Sequence, residues 1–255
     1  MDRMGAVICV DVGNINIHTG LFLNGRLVEA FDDLPRPEAL SNAEAIVYSS
    51  VSTKNFKKLS QRLKEVQYKG RILHLSSSTQ NLLKIHYKNP SQLGDDRLAL
   101  AYYIWRRYGE GLGIDAGTFI NIEWVKDNTH FPIAIFPGLK LIISNYKKGT
   151  RLKDYPSLIM DELKKMRLFR SKGRAEDALR VLPESSIDCI VKGIVDALKG
   201  LVDGALRVTG EERVIFTGGD GEILCDLLNI GKYERHAVLW GLYYFFEVSE
   251  SSSEF

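Results

Sequence analysis

The sequence predicts an α/β fold built as two related lobes. Three observations carry this: a short motif that occurs twice, a hairpin pattern after each copy, and amphipathic helical stripes alternating with strand-like runs. The motif is an apolar run ending in Asp-x-Gly and a small polar residue. It reads Val10-Asp11-Val12-Gly13-Asn14 near the start and Ile114-Asp115-Ala116-Gly117-Thr118 further on. A carboxylate at a strand end, followed by a glycine turn, stands beside backbone amides that can approach an anion. That combination suits Mg²⁺ or K⁺ next to phosphate oxygens. One copy alone reads as an ordinary turn, with Asp bonding local amides and Gly supplying positive φ. Two copies imply one nucleotide held between two lobes.

The elements follow in chain order. Strands are expected over 6–12, 17–23 and 26–31, the last two joined by Asn24-Gly25, a strong hairpin turn. A strand at 44–50 leads to a helix over 54–67, where Phe56, Leu59, Leu63 and Val66 recur at helical spacing. Lys54, Lys57, Lys58, Arg62 and Lys64 run through the same stretch and read as its solvated face rather than a nucleic-acid patch. A strand at 71–75 and a helix at 95–108 close the first half. Strands at 112–117, 119–125 and 132–136 repeat the opening pattern, with Phe119 to Val125 in the hairpin position. Helices at 138–147, 157–169 and 184–208, a strand at 212–217 and helices at 220–229 and 234–247 complete the chain. The helix after Pro183 is the clearest, since Ile187, Ile190, Val191, Ile194, Val195, Leu198, Leu201, Val202, Ala205 and Leu206 form one stripe. That stripe is wide enough to serve a lobe core and a partner subunit. Trp240 to Phe246 is apolar on nearly all sides, as a buried helix is, and Ser249 to Phe255 reads as a frayed tail. Repeated strand, phosphate loop and hairpin together predict actin-like (ribonuclease H-like) lobes with the nucleotide site between them, residues 1–110 forming one and 111–255 the other.

Composition is compatible with two such lobes. The 255 residues are 45% hydrophobic and 26% charged with a net charge of +2, enough to bury one or two cores and too balanced to imply a polyanionic partner. Cys9, Cys189 and Cys225 are far apart with no metal-ligand spacing and read as reduced packing residues. No apolar run reaches membrane-spanning length, so a soluble cytoplasmic protein is expected.

The stretch between the two motifs bears on the chemistry. It reads Tyr87-Lys88-Asn89-Pro90-Ser91-Gln92-Leu93-Gly94-Asp95-Asp96-Arg97, a loop ending in Gly-Asp-Asp-Arg at the head of an apolar helix. Carboxylate and guanidinium side by side, next to free helix amides, can position a hydroxyl and hold a carboxylate. The same residues are equally read as an N-cap, Asp95 or Asp96 bonding first-turn amides with Arg97 at the surface.

With these motifs in order, the chain resembles the type III pantothenate kinases of the actin, Hsp70 and sugar-kinase superfamily. Asp11-Val12-Gly13-Asn14-Ile15-Asn16 stands for the family's opening Asp-Val-Gly-Asn-Thr-Asn. Tyr87, Asn89, Pro90, Leu93, Gly94, Asp96 and Arg97 match its acceptor motif. Asp115, Gly117 and Thr118 match its second phosphate motif, Pro137-Gly138 its later Pro-Gly, and Gly218-Gly219-Asp220 its Gly-Gly-Asp. Ser186, followed by Cys189, Ile190 and Gly193, takes the place of a family Thr. The resemblance implies transfer of the ATP γ-phosphoryl to pantothenate, the first step of coenzyme A synthesis. It implies Asp96 as general base, and Tyr87, Gly94, Asp95, Asp96, Arg97 and Ser186 around pantothenate. Asp11, Val12, Gly13, Asn14, Ile15, Asn16, Ile17, His18 and Thr118 would face the nucleotide, ATP with Mg²⁺. Asp115 would hold a monovalent cation, K⁺ or NH₄⁺. It also implies a homodimer in which Ser186 completes the neighbouring site, with neither nucleic acid nor membrane as partner.

Four departures stand against this pattern. Ile15 replaces a Thr, Asn121 and Glu123 stand where Thr and Asp are usual, and Phe131-Pro132 replaces Gly-Gly. Each lost neutral hydrogen bond is worth about 0.5–1.5 kcal/mol, enough to slow an enzyme without abolishing it. The alternative is a weak or silent relative that senses nucleotide or binds a partner.

Overall fold

The computed structural model describes residues 5–149, 152, 154–170 and 182–251. The first motif lies where β1 (Ala6–Val12) turns into β2 (Ile17–Leu23), and Asn24-Gly25 turns β2 into β3 (Arg26–Phe31). Both turn residues have positive φ, as a two-residue hairpin turn requires. A short helix α1 (Pro37–Asn42), β4 (Ala43–Ser50), α2 (Thr53–Glu65) and β5 (Arg71–His74) follow. The two-residue strand β6 (Lys84–Ile85) precedes α3 (Asp95–Tyr108). The second motif joins β7 (Gly111–Ala116) to β8 (Phe119–Lys126), and β9 (Thr129–Pro137) returns to α4 (Leu139–Ser144). Then come α5 (Tyr155–Arg170), α6 (Ser186–Thr209), β10 (Val214–Thr217), α7 (Gly221–Leu228), β11 (Lys232–Tyr233) and α8 (Ala237–Ser251).

The two sheets repeat one plan. The first runs β3-β2-β1-β4-β5, and the second, read from the same end, runs β6-β9-β8-β7-β10-β11. In each, a hairpin lies on one side of the motif-bearing strand and two parallel strands lie on the other. The extra strand β6 pairs parallel to the start of β9. This is the actin-like arrangement of two ribonuclease H-like sheets anticipated from the repeated motif. The chain divides into two units, one of Met1–Gly111, Glu123–Pro132 and His236–Phe255, the other of Leu112–Ile122 and Ile133–Arg235. The first unit therefore includes the hairpin end of β8 and β9 and the last helix.

Within the first unit, Ile8, Val10, Val12, Ile17, Leu40, Ile46 and Leu59 form a core cluster, while α8 packs against α3. Of the run Trp240–Phe246, Leu242, Tyr243, Phe245 and Phe246 are at most 5% exposed, while Trp240 and Tyr244 are half-buried. The helix starts at Ala237, three residues later than the sequence implies, and carries on to Ser251. Ser249, expected to be frayed, lies inside it and donates its hydroxyl to the Phe245 carbonyl at 2.8 Å. The rest of the expected tail, 252–255, lies outside the described residues. Sequence periodicity also gave no sign of α1, β6 or β11, which are too short to show a repeat.

In the second unit, Val191, Ile194, Val195, Leu198, Val202 and Ala205 of α6 are buried. Ile187, Ile190, Leu201 and Leu206, on the same stripe, are only half-buried. Among the described residues no helix is long and apolar enough to cross a membrane.

Candidate active site

In the first unit, β1 and β2 pair as far as Val12 opposite Ile17, so Gly13 to Asn16 form the connecting loop. Val12 and Ile17 point into the core, which leaves their backbone rather than their side chains available to a ligand. Asn14, Ile15 and Asn16 are exposed, Ile15 at 72%. Asn55, buried at the start of α2, donates Nδ2 to the Gly13 carbonyl at 2.8 Å and to that of Asn14 at 3.3 Å. The loop is thus braced from beneath. His18 turns to Asp32, with Nδ1 at 2.6 Å from Oδ1. Asp11, at the end of β1, accepts a hydrogen bond from Ser49 Oγ at 2.8 Å. Burial raises its pKa, and the Ser49 bond works against that rise.

The loop from Tyr87 reaches α3 through Asn89, whose Oδ1 caps the turn at Pro90 by accepting from the Ser91 amide at 3.3 Å. Gly94, with no side chain to offer, is the N-cap of α3, so neither aspartate holds the capping position. Asp95 turns toward the strand ends: its Oδ2 accepts from the Ser50 amide at 3.2 Å and lies 2.7 Å from His74 Nε2. His74 in turn stacks on Tyr48, ring centroids 4.6 Å apart. Asp96 accepts from the Arg97 amide at 2.8 Å. Its pKa is pushed up to about 7, chiefly by burial and then by the charge of Asp11, against the lowering pull of Arg97. A carboxylate with that pKa is a competent base near neutral pH.

Arg97 is not at the surface. It is 6% exposed and pairs with Glu123, Nε to Oε1 and Nη2 to Oε2, the second bond 3.1 Å long. Burial lowers the Arg97 pKa, but Glu123 and then Tyr87 outweigh it, so the net shift is upward. Glu123 Oε2 lies 2.6 Å from Nε2 of His130, and both residues are wholly buried. Because a carboxylate only accepts, Nε2 carries the proton.

In the second unit, Asp115, the last residue but one of β7, lies beside Thr217 of the parallel strand β10. Gly218 has φ +85°, and a Cβ there would fall 2.3 Å from Asp115 Oδ1. Gly138 donates its amide to the Thr118 carbonyl at 2.9 Å, and a Cβ there would fall 2.3 Å from the Gly117 carbonyl oxygen. Gly138 and Gly218 thus lie directly on the Asp115–Thr118 loop, whereas a Cβ at Gly219 would meet nothing. Asp220 donates its amide to the Ala116 carbonyl at 2.9 Å, and Lys140 Nζ lies 3.7 Å from Asp220 Oδ1. Ser186 is the exposed first residue of α6, and Ser185 is its N-cap, accepting from the Asp188 amide.

Sequence comparison gives these two loops a common context. A sequence model described as type III pantothenate kinase matches residues 7–208, from β1 into the last turn of α6. The chain belongs to that family. It is 30% identical over 183 residues to the type III pantothenate kinase of Thermosipho melanesiensis, covering 71% of this chain and 69% of the relative. It is 25% identical to that of Persephonella marina over 93% of this chain and 96% of the relative. Among solved structures, a conserved Campylobacter jejuni protein described as a putative Baf family transcriptional activator superposes with a TM-score of 0.60. That pairing covers 96% of this chain and 99% of the other at 22% identity, a likeness of fold. As a member of this family, the chain is a kinase.

Kinase chemistry needs few protein groups: positioned reactants, a base and screening of phosphate charge. Among the described residues no group of three or more His, Cys, Asp or Glu could hold a metal ion. Sequence reasoning did not single out Asn55, Ser49, His74 or His130. Asn55 had a signal, standing three residues after the capping Ser52. Glu123 was noted only as a departure and is the partner of Arg97.

Proposed function

We propose that this kinase transfers the γ-phosphoryl of ATP to the primary hydroxyl of pantothenate, giving 4′-phosphopantothenate in the first step of coenzyme A synthesis. The single observation that carries the reading is Asp96, half-buried in the first turn of α3, next to Arg97 and within the field of Asp11, with its pKa raised to about 7. Asp96 accepts the proton of the acceptor hydroxyl as the oxygen attacks phosphorus. Arg97 and Tyr87 orient the acceptor, and Gly94 and Asp95 form the wall beside it. The amides of Gly13 to Asn16 and the Thr118 hydroxyl face the phosphates. Bound Mg²⁺ supplies charge neutralisation at the phosphates, and Asp115 is the carboxylate for a monovalent cation.

The half-buried Ile187, Ile190, Leu201 and Leu206 on α6 support a homodimer in which Ser186 completes the neighbouring acceptor site. The cytoplasm is the compartment that suits this chemistry. The exposed Ile15, a methyl-bearing side chain in the phosphate loop, favours the second reading, a weak or silent nucleotide-binding relative. A coupled assay with ATP, Mg²⁺, K⁺ and pantothenate decides between them: turnover dependent on pantothenate supports the kinase, and ATP binding without turnover supports the relative.

A further inference from the structure

The least expected part of the first unit is a row of three buried polar side chains. Arg97, Glu123 and His130 come from α3, β8 and β9, and their side chains are 7%, 0% and 0% exposed. Burying an ion pair costs several kcal/mol of hydration per ion, and hydrophobic residues of similar volume often serve stability as well or better. The Glu123 carboxylate uses both oxygens on the Arg97 fork, and Oε2 also takes the His130 imidazole. Such a two-point grip fixes the plane of a guanidinium, which a single hydrogen bond does not. On its other side Arg97 follows Asp96 in the chain and lies within electrostatic reach of Tyr87, both residues of the acceptor motif.

His130 has a defined part in the row. Its Nε2–H donates to Glu123, while Nδ1 is buried with no hydrogen-bond partner. With Nδ1 meeting no partner among the described residues, the imidazole acts on the row through its Nε2–H alone. The row then sets a guanidinium, a carboxylate and an imidazole donor side by side. With this compensation the buried guanidinium keeps its position without its full charge acting on Asp96.

We propose that Glu123, oriented by His130, is the positioning residue that fixes the Arg97 guanidinium at the acceptor site. The inference rests on the pantothenate-kinase reading for the identity of the acceptor, and concerns residues to which that reading gives no role. Glu123 touches neither acceptor nor nucleotide; it acts through Arg97.

The test is steady-state kinetics of the purified full chain with ATP, Mg²⁺, K⁺ and varied pantothenate. The variants are Glu123→Gln, Glu123→Asp and His130→Gln, each checked by circular dichroism. Glu123→Gln keeps the shape and loses the charge and the two-point grip, so KM for pantothenate should rise by about tenfold or more while KM for ATP moves less than about twofold. Glu123→Asp should recover part of that loss, and His130→Gln should fall between the wild type and Glu123→Gln. Equal changes in both KM values, or none in folded variants, would overturn the proposal. If Glu123→Gln does not fold, the other two variants decide by the same split. A wild-type protein that turns over no pantothenate refutes the acceptor assignment instead. In that case the same variants are read by pantothenate binding in calorimetry: wild-type binding weakened by Glu123→Asp upholds the positioning role, and no wild-type binding removes it.

Discussion

The Asn55 amide nitrogen lies 2.8 Å from the Gly13 carbonyl oxygen and so ties the first turn of α2 to the loop that follows the first aspartate. The loop carbonyls are thereby drawn inward. A loop meant to present amides to an anion needs its carbonyls held away from it, because carbonyl oxygens repel phosphate.

Asn55→Ala should therefore loosen the loop rather than the chemistry. The loss of a donor to two carbonyls is expected to cost about 1–2 kcal/mol of stability. KM for ATP should rise by roughly tenfold with kcat within about threefold of wild type. Thermal unfolding and ATP-dependent kinetics check both numbers, and an unchanged KM for ATP would show that the brace serves folding alone.

Ile15 offers the opposite kind of test. Its side chain is 72% exposed, so replacing it sacrifices little packing. Ile15→Thr places a hydroxyl on the phosphate loop, and one neutral hydrogen bond corresponds to a fall of about two- to tenfold in KM for ATP. Kinetics at fixed acceptor measure it. No change would mean that the loop amides already satisfy the phosphates without that hydroxyl.

Much of this fold was legible because its signals are local. Asp-x-Gly twice, Asn24-Gly25, and the stripe from Ile187 to Leu206 each declare an element through neighbours in the chain. The acceptor loop was legible for the same reason, yet the N-cap alternative could not be separated from a site until Gly94 was seen in the capping position. Arg97 illustrates what local reading misses. Its burial depends on Glu123, 26 positions away, and on the His130 imidazole behind it. No periodicity reports such a pairing. Asp95 was equally opaque, since its partners Ser50 and His74 come from the ends of two other strands.

The raised pKa of Asp96 fixes the sign of two pH effects. As the proposed base it must be ionised, so kcat/KM for the acceptor should rise with pH through about 7 and level off above it. For stability, the native carboxyl holds its proton up to about 7 while the unfolded one releases it near 3.8. The contribution of Asp96 to stability is therefore fully present below pH 3.8 and is lost as pH rises through 7. Asp96→Asn, which never ionises, should gain stability over wild type at pH 8 by an amount on the order of a few kcal/mol, and much less at pH 5. Paired thermal melts at the two pH values provide the measurement. A gain of equal size at both would point to packing rather than charge.

The same substitution separates catalysis from capping. Asp96→Asn keeps shape and can still hydrogen-bond but takes no proton, so kcat should fall by roughly 10²-fold or more with KM for ATP little changed. Asp95→Asn is the comparison. Its Oδ2 receives both the Ser50 amide and the His74 ring, and an Asn carbonyl oxygen accepts from both as well. It gives up only the negative charge beside His74, so kcat should fall by less than about tenfold. A mere first-turn role for both residues would give equal and small losses. A large loss confined to Asp96, in a variant that melts no lower than wild type, assigns the proton transfer to that carboxylate, because no structural defect is then left to account for the rate.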